Sequence, residues 1–122
     1  MDATYVFSVR FRLSPDAPVS VEPATFETTL RRPADSPGED GWLFFRDNLW
    51  RGDVNDPAHA RELVEDALGV PVEAVEYRRF DTDTEYYDAL KSAIDEDLAL
   101  FKADSVSEVL NKYFGSSVEI ES

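Results

Sequence analysis

Residues 42–50 read WLFFRDNLW, and both parities of this run are apolar: Trp42 and Phe44 fall on one side of an extended chain, Leu43 and Phe45 on the other. A strand covered on both faces lies at the centre of a sheet or at an interface. Residues 42–50 are therefore expected to form a third strand, and the rest of the chain arranges itself around it. On the N-terminal side stands a polar loop, PADSPGEDG at 33–41, rich in turn formers. Before it, TFETTLRR at 25–32 alternates Phe26, Thr28 and Leu30 with Thr25, Glu27 and Thr29, the strongest part of a second strand expected within 19–32. The first strand, TYVFSVRFRL at 4–13, sends Tyr5, Phe7, Val9, Phe11 and Leu13 one way and Val6, Ser8, Arg10 and Arg12 the other. Pro15 and Pro18 then break the chain.

On the C-terminal side a helix is well signalled. Asp56 suits the N-cap and Pro57 the first helical position, where a missing N–H costs nothing. Ala60, Leu63, Val64, Ala67 and Leu68 make one apolar stripe, and Gly69 is placed to stop the helix. VPVEAVEYRRF at 70–80 reads as a fourth strand. A second helix follows over 81–101, with Thr82 and Glu85 at capping-box spacing and Tyr87, Leu90, Ile94, Leu98 and Phe101 as its buried stripe. Ser105 and Glu108 repeat that spacing before a third stripe of Val106, Val109, Leu110, Tyr113 and Phe114, closed by Gly115. SSVEIE at 116–121 adds a short edge strand. The order is βββαβααβ in a single domain, 1–122. It predicts an α+β fold: a mostly antiparallel sheet of four to five strands with three helices packed on one face. A right-handed crossover from the third strand to the fourth would make the sheet mixed.

Charge narrows function. The chain carries 26 Asp and Glu against 12 Lys and Arg, a formal charge of −14. Lys91, Lys102 and Lys112 are the only lysines. Such a surplus strains a compact state by self-repulsion. At about 1 M salt the Debye length is roughly 3 Å, and the repulsion nearly vanishes beyond contact. Dispersed carboxylates with few lysines thus point to a molar-salt cytoplasm, so stability is expected to fall as salt is removed. The same charge disfavours nucleic-acid binding, which needs a basic face. No apolar run approaches the roughly 18 residues of a membrane span, and MDATYVFSVR lacks a basic segment before an apolar core, so a cytoplasmic location is expected. With no cysteine, thiolate chemistry and cysteine-ligated metals are excluded.

The arginines are unevenly placed. Arg10, Arg12, Arg31, Arg32, Arg46, Arg78 and Arg79 lie in or at the ends of expected strands, Arg51 just follows one, and only Arg61 lies in a helix. Gathered on one sheet face they would grip a carboxylate or phosphate through paired donors. The plainer expectation, which we prefer, is cross-strand pairing with Glu27, Glu73 and Glu76. Leu49, Trp50 and Arg51 pose a similar choice. Leu49 and Trp50 can close the core, Gly52 permits a turn with positive φ, and Arg51 can hold Asp47 or Asp53. The pair Trp50 and Arg51 can instead clamp a planar anion by stacking and charge.

Leu49-Trp50-Arg51, following an aromatic run in a small, acidic, cysteine-free chain, resembles the haloarchaeal LWR-salt protein family, named for this tripeptide and its salt-loving hosts. The resemblance implies a halophilic archaeal origin. It implies no activity, substrate or catalytic residue.

Other candidates are weaker. Asp81, Asp83 and Glu85 have calcium-loop spacing, but Tyr86 stands where the loop needs glycine and Ser92 where it needs glutamate, so helix-terminal acids explain them better. His59 is the only histidine, expected on the surface. No catalytic residue, metal or cofactor is assigned. On a strand at 42–50, Leu43 and Phe45 would need cover on the sheet face away from the helices, so a homodimer is expected. The preferred function is a noncatalytic binding or protein-interaction module, for a small anionic ligand or a protein partner, with Trp50, Arg51, Arg10 and Arg12 as contacts. The alternative is a small enzyme acting on an anionic substrate through an arginine-lined sheet face.

Overall fold

The computed structural model describes residues 1–12 and 25–121. Leu13, Pro15, Pro18 and the expected start of the second strand lie outside these. Strand β1 (Ala3–Arg12) buries Tyr5, Phe7 and Val9, as its alternation demands. It pairs antiparallel with β2 (Thr25–Pro33) on one side and with β5 (Val72–Asp83) on the other. Strand β6 (Val118–Glu121) runs parallel to β5, giving a sheet in the order β2-β1-β5-β6. The fold is α+β, with a mixed four-stranded sheet and four α-helices among the described residues.

The sheet departs from expectation at residues 42–50. This stretch supplies no strand to the sheet. It forms a five-residue helix, α1 (Phe44–Asn48), then a two-residue strand, β3 (Leu49–Trp50), which pairs only with β4 (Asp53–Val54). Trp42, Phe45 and Leu49 fall at i, i+3 and i+7, one helical face. Phe45 (1% exposed) stacks on Phe101 and Phe114, with ring centroids 5.6 and 5.0 Å away, while Phe44 lies 4.7 Å from Tyr5. Both parities of the run are therefore covered within one chain. Leu43, too, packs against the core. A short apolar run looks the same whether it is a buried strand or a helical turn, and the dimer inferred from a strand here loses that basis.

The parallel crossover also moves. It runs from β5 through α3 (Thr84–Glu96) and α4 (Val106–Tyr113) to β6, not from a third strand to a fourth. Helix α2 (Pro57–Leu68) has its expected ends: the Asp56 carboxylate accepts from the His59 N–H at 3.1 Å, and Gly69 takes φ 71°. Only Val64 of its stripe is buried; Leu63 and Leu68 are exposed. Helix α3 is capped one residue later than expected. Thr82 is still in β5 and buried, and the cap is Asp83, which accepts the Tyr86 N–H at 2.7 Å. That bond and a second from the Asp2 N–H hold the Asp83 carboxyl below its ordinary range. With the later start, Tyr86 rather than Tyr87 enters the core beside Leu90 and Ile94. The 81–101 helix is also broken, its last turn becoming a 3-10 turn at Leu98–Phe101. In α4 the Ser105 hydroxyl caps the Glu108 N–H as expected, and Glu108 reaches back to the Asp104 N–H at 2.8 Å.

One cluster joins the inward side chains of β1 and β5 to Phe45, Val64, Leu90, Ile94, Val109 and Phe114. Val6, on the other sheet face, is buried outside this cluster. Its register neighbours are Arg31 and Arg79, whose methylene stems can roof a small apolar residue. Among the described residues no helix is long and apolar enough to cross a membrane.

Candidate functional site

Strands β3 and β4 form a hairpin with a two-residue turn, Arg51-Gly52. Arg51 has φ 53° and Gly52 φ 82°, the signs of a type I′ turn, which matches the twist of a tight hairpin. The turn docks on the end of α4. The Arg51 N–H donates to the Lys112 carbonyl at 2.8 Å and the Gly52 N–H to the Tyr113 carbonyl at 2.9 Å. Carbonyls in the last turn of a helix have no partner within it, so the hairpin satisfies them. The approach is close on both sides. A Cβ on Gly52 would lie 3.1 Å from the Phe114 carbonyl oxygen, and one on Gly115 (φ 61°) 3.1 Å from the Arg51 carbonyl oxygen.

The three side chains of the tripeptide part company here. Leu49 (0% exposed) is core, whereas Trp50 (44% exposed) stands at the surface, edge-on to Tyr113 at 6.2 Å. The Arg51 guanidinium lies 5.5 Å from the Trp50 ring centroid, a cation–π distance. It pairs with neither Asp47 nor Asp53 as expected: Asp47 is held by Arg46 at 3.1 Å, and Arg51 has no ion-pair partner among the described residues. Trp50, Arg51, Glu108, Asn111 and Lys112 border an open cleft of about 540 Å³. The Lys112 ammonium donates to the Phe101 carbonyl at 2.7 Å and sits 5.8 Å from the Tyr113 ring. Burial raises the Tyr113 hydroxyl pKa, so that ring stays neutral. The corner is thus an exposed indole beside the Arg51 guanidinium, with Lys112 and Glu108 bordering the same cleft, on a chain of charge −14.

Arg10 and Arg12 are not part of it. They lie on the sheet face opposite the core and share Glu73, at 3.6 and 3.0 Å. Arg31 and Arg79 share Asp81 at 3.5 and 2.8 Å, and Arg78 meets Glu76 at 3.0 Å. Of the expected cross-strand partners, Glu73 serves Arg10 and Arg12 across the sheet, whereas Glu76 pairs with Arg78 along its own strand. Glu27 faces Arg10 in register but makes no ion pair among the described residues. The acids of 81–85 are dispersed: Asp81 holds arginines, Asp83 caps α3 and Glu85 is exposed in its first turn. His59 is exposed.

Sequence reasoning missed two features. Lys112 and Asn111 join the corner only because α4 ends there, although a lysine in a last helical turn is itself a signal of carbonyl contact. The second is a cavity of about 230 Å³ between α2 and β2, lined by Phe7, Leu30, Phe44, Val54, Leu63 and Ala67, with Arg32 and Asn48 beside them. Its signal was Arg32, a cation on the same parity of β2 as Phe26 and Leu30; it lies 4.4 Å over the Phe44 ring.

No curated protein and no solved structure matches the chain. The family model described as LWR-salt protein matches residues 1–122, and the chain belongs to the LWR-salt protein family.

Proposed function

We propose that this protein is a noncatalytic binding module of a molar-salt cytoplasm, and that its contact surface is the Trp50, Arg51 and Lys112 corner, which takes a small anion carrying a flat ring. The observation behind this reading is the division of labour at residues 50–51. The main chain of Arg51 and Gly52 is pinned to α4, while the Trp50 indole and the Arg51 guanidinium face outward, the arginine having no ion-pair partner among the described residues. A ring stacks on Trp50, and its anionic group meets Arg51 and Lys112. The runner-up, a small enzyme gripping an anionic substrate on the sheet face through Arg10 and Arg12, must first displace Glu73 from both arginines.

Thermal unfolding in molar KCl tests it, with a nucleoside monophosphate as the planar anion and inorganic phosphate as its ringless counterpart. The nucleotide raises Tm more than phosphate does. Trp50→Ala and Arg51→Gly abolish the shift, and Arg10→Ala and Arg12→Ala keep it. A shift that survives Trp50→Ala and Arg51→Gly, or no shift with either anion, contradicts the reading.

A further inference from the structure

Strand β2 pairs with β1 through all of Thr25–Pro33, and its other edge has no partner among the described residues. Alternate residues of such an edge turn both N–H and C=O outward, a template for another strand. Edges are commonly blunted by charged side chains, proline or a bulge. Within β2 these devices are Pro33, its last residue, and the exposed Glu27, Arg31 and Arg32, while the β1–β2 ladder runs without a register shift.

The charges on this edge are self-complementary. Two copies related by a two-fold axis form a proper antiparallel ladder only when the axis passes through a residue position. Centring on Thr29 overlaps all nine residues of β2, and the same register sets Glu27 opposite Arg31 of the second copy, twice over. Centring on Glu27, Arg31 or Arg32 sets like charges face to face instead. Glu27 is exposed and without an ion-pair partner among the described residues, and Arg31 is exposed with only a 3.5 Å contact to Asp81. Beside this edge lies an apolar surface, where Leu63 of α2 is 42% exposed and borders the cavity shared with Leu30 and Pro33.

We propose that the partner of this edge is a second copy of the chain, paired β2 to β2 about Thr29, so that two four-stranded sheets become one of eight strands. Main-chain bonds supply the affinity and the Glu27–Arg31 pairs the register. The surface is separate from the Trp50 corner, and each can fail without the other.

Sedimentation of the full chain in molar KCl is the test, with circular dichroism confirming that each variant is folded. The unaltered chain sediments as a dimer. Glu27→Arg and Arg31→Glu each weaken self-association about tenfold or more, since contact pairs still act within a Debye length of roughly 3 Å. The doubly exchanged chain recovers the dimer, and an equimolar mixture of the two single variants forms a heterodimer. A strict monomer at high micromolar concentration overturns the proposal. So does a dimer indifferent to both reversals, which assigns association to another face.

Discussion

Arg51 holds φ at 53°, a left-handed conformation that costs a residue with a Cβ about 1–2 kcal/mol. Asparagine or glycine would make this turn more cheaply. The main chain at position 51 needs only an N–H for Lys112, which any residue but proline supplies. Arg51→Gly is therefore expected to leave stability unchanged or raise it by up to about 1 kcal/mol, read from the urea midpoint in molar salt. Gly115→Ala makes the opposite case. Its added Cβ meets main-chain atoms that cannot swing away, at 3.1 Å, in a backbone with φ 61°. A loss above about 1 kcal/mol is expected there. If Arg51→Gly were instead as damaging as Gly115→Ala, the guanidinium would be a structural prop, and its exposure beside Trp50 would need no ligand to explain it.

Among the elements, caps were the legible part. Asp56, Gly69 and Ser105 act where their chemistry places them, because a cap is settled by its own turn. Thr82 and Asp83 show the limit. Both can cap α3, and the choice falls to the longer-range fact that β5 stays paired with β1 and β6 through residues 82–83. The start of a turn at Gly52 could be read from the chain, but α4, which carries it, comes some sixty residues later and left no local trace. Residues 42–50 were misread for the same reason. Their aromatic density pointed to burial, yet whether as strand or helix depended on Phe101, Tyr113 and Phe114 arriving around Phe45. If α1 is the plug of this core, Phe45→Ala costs about 3–5 kcal/mol, while Leu63→Ala, on the exposed side of α2, changes little. Denaturant unfolding of the two variants checks this. Near-equal losses would mean that the aromatic cluster does not centre on α1.

For the molecule as a whole, attraction and repulsion between charges can be weighed against each other. Ion pairs among the described residues engage Asp47, Glu73, Glu76, Asp81, Asp83, Glu85 and Asp88, and most of those pairs are substantially exposed. Exposed pairs contribute about 0–1 kcal/mol each and weaken with salt. The other described carboxylates have no such partner, and their mutual repulsion within a chain of −14 also weakens with salt. The unpaired acids are the larger group, so screening should help folding more than it hurts. Tm is therefore expected to rise steadily from dilute buffer to about 1 M KCl, as the Debye length shrinks to roughly 3 Å. Replacing two exposed acids of α2 that make no ion pair among the described residues, Glu62→Lys with Asp66→Lys, should flatten that rise by stabilising the chain chiefly at low salt. A Tm equal or higher in dilute buffer would show that the sheet-face pairs govern stability, and the acidic surface would then need a reason other than brine.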